Sequence, residues 1–141
     1  MLSRAADRVL ACAYPGLLAA YDDTLARFPS LHRFMGDAGD RRKRAIPAQD
    51  AYGDVWQTEA AARVLLFPRV TPGLESSRVE PMDAPEALLA LVPNSIERWD
   101  RDYIAPHLAL LQALVRQAPA YRLLLAPDIP ALPDLIGSLL A

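Results

Sequence analysis

The chain of 141 residues is poor in the residues that build most catalytic and metal centres. It has one cysteine, Cys12, which excludes an internal disulfide. Its two histidines, His32 and His107, have no second His or Cys at metal-ligand spacing, so a zinc site has little support. None of its 6 glycines precedes Lys-Ser or Lys-Thr, and Lys43 is the only lysine. The phosphate loop G-x-x-x-x-G-K-[ST] is therefore absent from this sequence.

The composition indicates a globular protein with a sizeable core. Hydrophobic residues make up 52% of the chain and charged residues 23%. The formal charge of −2 argues against non-specific binding to nucleic acid. No stretch approaches the ~20 apolar residues of a membrane span, and residues 1–18 lack the unbroken apolar segment of a signal peptide. We expect one domain over residues 1–141, in the cytoplasm, with no membrane or nucleic-acid partner.

Strand and helix signals alternate along the chain, which predicts an α/β protein, with α+β left open: a small mixed sheet with flanking helices. Strands are predicted over Arg8–Ala13, Arg63–Val70 and Tyr121–Ala126, with shorter ones near Lys43–Ile46 and Ser77–Glu80. Helices are predicted over Asp83–Val92, Tyr103–Ala118 and a final segment with an apolar stripe at Leu132, Leu135, Ile136, Leu139 and Leu140. One turn of helix is predicted around Tyr52–Trp56.

Prolines and glycines mark the boundaries of these elements. Pro72-Gly73 predicts a turn that makes Arg63–Val70 and Ser77–Glu80 a hairpin, with Pro68 at a sheet edge or strand end. Tyr14-Pro15-Gly16 predicts a turn after the first strand. Asp83 suits a helix cap with Glu86 three residues later. Pro93 is predicted to end that helix, and Pro106 to lie in the first turn of the next.

Two adjacent acidic residues, Asp22 and Asp23, precede a short apolar-periodic segment. The simpler interpretation is an N-terminal cap for a helix that Pro29 shortens or breaks. The alternative is a Mg²⁺ site, because paired carboxylates suit a hard cation.

The densest charge feature is the basic run Arg41-Arg42-Lys43-Arg44. One interpretation is a solvated turn with ion pairs to the acidic loop before it. A second is contact with phosphate or another anion through Lys43 or Arg44, with Arg42 beside them. A third is docking of an acidic partner.

The remaining reactive and aromatic residues favour structural roles. The serines lack the glycine elbow of a hydrolase nucleophile, so we assign no catalytic residue. Cys12 is expected to be a buried structural thiol, and His107 a partly buried, hydrogen-bonded histidine on an apolar helix. Trp56, Trp99 and Tyr103 are expected to pack into the protein, with an exposed aromatic patch as the alternative.

Several passages, taken in order, resemble the C-terminal half of HPr kinase-like proteins. They are RVLACAYPG (8–16), DTLARFP (23–29), RKRAIP (42–47), RVLLF (63–67), EPMDAPEALLALVPNS (80–95) and YRLLLAPD (121–128). The resemblance implies a fold of the phosphoenolpyruvate-carboxykinase type. It also implies an ancestry in enzymes that phosphorylate a protein serine with ATP and Mg²⁺.

The missing phosphate loop limits what that resemblance implies. Phosphoryl transfer depends on positioning and on electrostatic stabilisation of the phosphates, so kinase activity of the isolated chain is not expected. The resemblance implies a degenerate or truncated domain that binds a protein partner or a second copy, or keeps a residual phosphate or nucleotide site at Lys43, Arg44 and Arg42. An α/β interaction or accessory module without enzymatic activity is the alternative.

Overall fold

The computed structural model describes residues 2–5, 8–13, 16–37, 42–54, 56–95 and 101–140. It is mixed α/β with several small sheets, which confirms the predicted fold class. The chain divides into two compact regions: the first region is residues 12–59, and the second region is residues 2–11 with 60–141. The prediction of a single domain over residues 1–141 stays a prediction.

The strands in chain order are β1 (Leu2–Ala5), β2 (Arg8–Cys12), β3 (Leu17–Ala20), β4 (Arg44–Pro47), β5 (Glu59–Ala61), β6 (Leu65–Val70), β7 (Arg78–Met82) and β8 (Ala120–Leu125). The α-helices are α1 (Asp22–Leu25), α2 (Ala48–Tyr52), α3 (Ala84–Ser95), α4 (Arg101–Gln117) and α5 (Leu132–Ser138). Two 3₁₀ segments cover Pro29–Phe34 and Ile129–Ala131. The predicted turn at Tyr14-Pro15 lies outside the described residues.

The first region is a two-stranded ladder closed by short helical segments. β3 and β4 pair antiparallel, with Leu17 opposite Pro47 and Ala20 opposite Arg44. Leu25, Leu31 and Ile46 form its small core. Pro29 starts the 3₁₀ segment after α1, as expected of a proline that breaks the helix. A two-stranded ladder is marginal alone, so this core and the helices around it must hold it together.

Gly53 explains why the helix near Tyr52 lies earlier than predicted. One turn of helix was predicted around Tyr52–Trp56. This position was wrong, because α2 covers Ala48–Tyr52. Gly53 has φ of +78°, a left-handed conformation that glycine adopts at little cost. Its N–H donates to the carbonyl of Gln49 at 2.8 Å and closes the helix.

The main sheet of the second region has the order β6-β8-β7. β8 is the middle strand, parallel to β6 and antiparallel to β7. The predicted hairpin was therefore wrong, since β8 lies between its two arms. β8 carries Leu123 and Leu124 as buried residues, whereas β7 alternates charged and apolar residues. The more apolar strand takes the position that is buried on both sides.

Both edge strands of this sheet contain a proline. Pro68 of β6 lies opposite Leu123 of β8, and Pro81 of β7 lies opposite Tyr121 of β8. A proline has no N–H to donate, so it is tolerated at an edge and hinders addition of a further strand. The prediction that Pro68 marks a sheet edge is confirmed.

Helices α3 and α4 pack together and contribute to the core of the second region. Its buried residues include Ala87 of α3, Val115 of α4 and Ala120 of β8. Asp83 caps α3, with its carboxylate accepting the N–H of Glu86 at 2.8 Å. The predicted end at Pro93 was wrong, since α3 continues to Ser95. Pro106 is the sixth residue of α4 rather than part of its first turn.

Gln117, at the end of α4, completes the hydrogen bonding of buried Val9. Its Oε1 accepts the Val9 N–H at 2.7 Å, and its Nε2 donates to the Val9 carbonyl at 2.9 Å. β1 lies on the other side of this strand, with Arg4 opposite Val9. The amide therefore replaces a neighbouring strand at one position.

The helices were also compared with the requirements of a membrane span. Within the described part of the chain, none combines the length and the apolar character needed to cross a bilayer.

Candidate functional site

The basic run leads into β4 in the first region. Arg44 is the first residue of the strand, and Arg42 and Lys43 directly precede it. Arg42 and Lys43 are exposed and Arg44 is half-buried. Arg41 lies outside the described residues. Residues that are adjacent in the sequence therefore differ in their exposure to solvent.

Arg44 binds the carboxylate of Asp22 through both branches of its guanidinium. Its Nε donates to Oδ1 and its Nη2 to Oδ2, each at 3.1 Å. The two side chains are 20% and 21% exposed, so water screens the pair only partly. A bidentate arginine–carboxylate pair is among the stronger polar contacts in proteins. An anion that bound Arg44 would first have to compete with Asp22.

Gly36 gives the Arg44 guanidinium room to reach Asp22. A Cβ at position 36 would lie 1.7 Å from the Nη2 of Arg44, so the guanidinium would have to move. The backbone N–H of Gly36 also points to Asp22, with its nitrogen 3.4 Å from each carboxylate oxygen. Residues 22, 36 and 44 therefore form one polar cluster, which we call the Asp22 clamp.

The clamp overturns the predicted role of Asp22 as a helix cap. Tyr21 occupies the N-cap position and makes no side-chain cap bond. Asp23 Oδ1 accepts the N–H of the adjacent Thr24 at 2.7 Å. The aspartates lie in the first turn of α1, where negative charge favours the helix dipole. Among the residues that the structure describes, no group of three or more His, Cys, Asp or Glu could hold a metal ion.

Lys43 lies over an aromatic ring. Its Nζ is 5.3 Å from the centroid of Tyr21, a cation–π distance. Tyr21 is 47% exposed, so the pair is open to solvent. We call this feature the Lys43–Tyr21 surface. It presents a positive charge beside an apolar ring, which suits an anionic group attached to an apolar one.

Ser77 and Asp128 form a second polar cluster, in the second region, that sequence reasoning missed. The Ser77 N–H donates to Asp128 Oδ2 at 2.8 Å, and the Ser77 hydroxyl donates to Oδ1. The Ser77 oxygen in turn accepts the Ala126 N–H at 2.9 Å. These bonds hold the pKa of Asp128 below its ordinary value of 3.8, the hydroxyl bond contributing most. The cluster ties the start of β7 to the end of β8.

No local signal in the sequence links Ser77 to Asp128. The two residues are separated by 51 positions. Asp128 closes the passage YRLLLAPD, but Ser77 lies in none of the quoted passages. Only the antiparallel pairing of β7 with β8 brings their segments to one end of the sheet.

The histidines and the cysteine occupy ordinary positions. His107 is half-buried on α4, as predicted, but its predicted hydrogen bond is not seen among the described residues. His32 is exposed, with Nε2 3.1 Å from the carbonyl oxygen of Ala26. The prediction of a buried Cys12 was wrong, because this residue is half-buried, with its Sγ 3.9 Å from a carboxylate oxygen of Glu59.

The aromatic residues are more exposed than predicted. Trp56 is 39% exposed and Tyr103 is 69% exposed, so the prediction that they pack inside was wrong for both. Trp99 lies outside the described residues.

The described surface includes shallow hollows. An apolar groove of about 330 Å³ lies between α3 and α4, which contact each other elsewhere, and it is lined by Ala84, Pro85, Leu88, Gln112, Val115 and Arg116. A smaller hollow of about 200 Å³ lies in the first region, lined by Gly16, Leu17, Pro47 and Gln49. Neither hollow contains a group of residues with a catalytic arrangement.

Comparison with protein-family models, with curated proteins and with solved structures finds no match for this chain. The resemblance to HPr kinase-like proteins therefore rests on the quoted passages alone and stays a prediction.

Proposed function

We propose that this chain is a partner-binding α/β domain without a catalytic centre of its own, a degenerate relative of HPr kinase-like domains. We further propose that it keeps a weak anion contact at Lys43, with Arg42 beside it, and that Arg44 has become structural. The observation that carries this proposal is the bidentate pairing of Arg44 with Asp22 at 3.1 Å.

The clamp supports a loss of phosphate handling at this strand. Catalysis of phosphoryl transfer needs several fixed donors on the phosphate oxygens. The sequence has no phosphate loop, and the carboxylate of Asp22 already accepts hydrogen bonds from Arg44, the half-buried arginine among the described residues of the basic run. An anion approaching Arg44 would also meet the negative charge of Asp22.

The Lys43–Tyr21 surface supports the other part of the proposal, a weak anion contact at Lys43. Lys43 is exposed and lies next to an exposed ring. An anionic group on a protein partner, or a free phosphate, has the chemistry to meet this lysine. We place this binding domain in the cytoplasm, because the reducing conditions there keep a free cysteine such as Cys12 in its thiol form.

The test is a titration of ¹⁵N-labelled protein with inorganic phosphate, ADP and ATP, each with and without Mg²⁺. We expect weak binding, at about millimolar concentration, with amide shifts centred on Lys43 and Arg42. Lys43→Met should abolish these shifts. Arg69→Met, which removes another exposed cation, from β6, is the matched control and should leave them unchanged.

Asp22→Asn sharpens the same test. Removing the carboxylate charge should release Arg44 and raise the affinity for phosphate several-fold. If no anion shifts Lys43 in either protein, the anion contact is wrong and the proposal reduces to a plain interaction module.

That plain interaction module is the second candidate, and the exposed apolar side chains of the first region favour it. Leu17 is 63% exposed and Tyr52 is 57% exposed. Large apolar side chains on a small surface are typical of an interaction site. In this version binding of a protein partner is insensitive to phosphate and to Lys43→Met.

A further inference from the structure

The outer edge of β3 differs from the edges of the β6-β8-β7 sheet. Within the part of the chain that the structure describes, β3 pairs only with β4. Its four residues, Leu-Leu-Ala-Ala, include no proline and no charge. Pro68 and Pro81, by contrast, lie in the two outer strands of the other sheet. Protein edge strands are usually blunted by such residues, and β3 is not.

The backbone register shows which groups of β3 face outward. Pro47 lies opposite Leu17 and has no N–H, so this pair cannot exchange two hydrogen bonds. Hydrogen-bonded pairs alternate along an antiparallel ladder. Leu18 and Ala20 therefore bond to β4, and the backbone groups of Leu17 and Ala19 point away from it.

From this edge we infer that two copies of the chain associate through β3. The geometry points to antiparallel pairing of β3 with the second copy's β3 about a twofold axis at Ala19. The result is a four-stranded sheet in the order β4-β3-β3-β4. At this register the two Ala19 residues exchange a pair of backbone hydrogen bonds, which satisfies outward groups of both copies.

The side chains fit this pairing. Leu17, Ala19 and Tyr21 alternate onto one face of the ladder, and all three are exposed. The same register brings Leu17 opposite the second copy's Tyr21, an aliphatic–aromatic pair of the kind that stabilises neighbouring strands. Residues 16–21 carry no charge, so no like charges meet across the axis.

The occupant is a second copy rather than an unspecified strand because the segment is self-complementary. With a twofold axis at Ala19, the small side chains of the two Ala19 residues meet at the centre. At each end, the large side chain of Leu17 meets the large side chain of Tyr21. The contact is short, so we expect a weak dimer with a dissociation constant of about 1 µM to 1 mM. This inference rests on the partner-binding part of the proposed function and not on its anion contact.

Hydrogen exchange and sedimentation of the intact chain test the inference together. Between about 10 µM and 1 mM protein, the sedimentation coefficient should rise toward that of a dimer. The Ala19 amide should gain protection over the same range. No gain is expected for Leu17, because the Tyr21 carbonyl opposite it already accepts the N–H groups of Thr24 and Leu25. The amides of Leu18 and Ala20 should be protected throughout, because they already bond to β4.

Ala19→Pro removes one outward donor without touching the bonds to β4, and should weaken association by about tenfold or more. Leu17→Lys gives a second variant that keeps the backbone and adds charge to the edge. Leu89→Lys is its matched control, since Leu89 is 74% exposed on α3, and it should associate like the unaltered chain.

Three results would overturn the inference. The first is a monomer at every concentration with an unprotected Ala19 amide. The second is a dimer that survives both edge variants and therefore uses another surface. The third is an edge protected only when an unrelated protein's extended peptide is added. A monomer that still binds phosphate at Lys43 would leave the anion contact standing, so the two failures are distinguishable.

Discussion

The first and second regions of this chain stabilise small sheets by different means. In the first region, β3 and β4 form a two-stranded ladder over three core residues, and the partly exposed Asp22 clamp ties α1 to β4. In the second region, β8 lies between two edge strands, and two longer helices supply apolar side chains to the core. The first region supplements a small apolar core with a polar contact, whereas the second has a larger sheet and longer helices to pack.

The two regions also differ in the strand edges that they leave unpaired among the described residues. A central strand such as β8 offers no edge, and its neighbours carry prolines. The ladder of the first region keeps an apolar, proline-free edge and a single exposed lysine beside it. Binding is therefore expected in the region that has the smaller core.

The largest effect is expected from truncating the two cores. Leu25 and Leu111 are each 1% exposed, one in each region. Replacing either by alanine should cost about 2–5 kcal/mol of unfolding free energy, from lost burial and the cavity left behind. Chemical denaturation of the two variants measures these costs.

Hydrogen exchange then separates the two regions. If their stabilities are distinct, Leu25→Ala should lower protection of the β3 and β4 amides and spare those of β8. Equal loss of protection in both regions would contradict the comparison and indicate a single cooperative unit.

An intermediate effect is expected from breaking the Asp22 clamp. Arg44→Met leaves a partly buried carboxylate without this partner and should cost about 1–3 kcal/mol. The matched control is Arg122→Met in the second region, where Arg122 pairs with Glu86 and Glu80. Those three side chains are 38–44% exposed, so the cost should stay within about 1 kcal/mol. Thermal or chemical unfolding of both variants compares them directly.

Gly36→Ala tests the geometry of the same clamp. A methyl group at this position displaces the Arg44 guanidinium, so the variant should lose most of what Arg44→Met loses. In the Arg44→Met background its cost should fall, because the clash is gone. Additive costs in this double-mutant cycle would show that Gly36 does not act through Arg44.

The smallest effect is expected from pH, in the second region. The pKa of Asp128 is lower in the folded protein than its ordinary value of 3.8. The carboxylate therefore contributes stability above pH 3.8, and this contribution is lost as the pH falls through the lower folded value. Ser77→Ala removes the main cause, so its stability should fall less steeply below that pH. Parallel acid-unfolding curves for the two proteins would contradict this assignment.

Local signals predicted most of the elements but not how the strands pair. β8 is the run Tyr-Arg-Leu-Leu-Leu that the sequence marks as buried, and the Asp83 cap of α3 follows directly from its residue type. The predicted hairpin failed because Pro72-Gly73 specifies a turn but not which strand lies next to β6. That choice depends on β8, which begins 50 residues after the end of β6 (residue 70 to residue 120).

The candidate site divides in the same way. Arg42, Lys43 and Arg44 are adjacent in the sequence and were predicted as one basic feature. They nevertheless have different environments. Arg42 and Lys43 are exposed, whereas Arg44 is half-buried and binds Asp22, which lies 22 residues earlier in the chain. Ion pairing to an acidic residue was foreseen for this run, but the acidic loop before it was expected to supply the partner rather than Asp22.

Local periodicity and residue type were enough to predict the α/β class and the main helices and strands, and the missing phosphate loop can be read directly from the residues. The tertiary contacts explain why β8 is central, why Asp22 holds Arg44 across Gly36 and why β3, among the described residues, pairs on one side only. Each of these results depends on contacts between residues far apart in the chain, whose free energies are set by burial and by the neighbours that folding supplies.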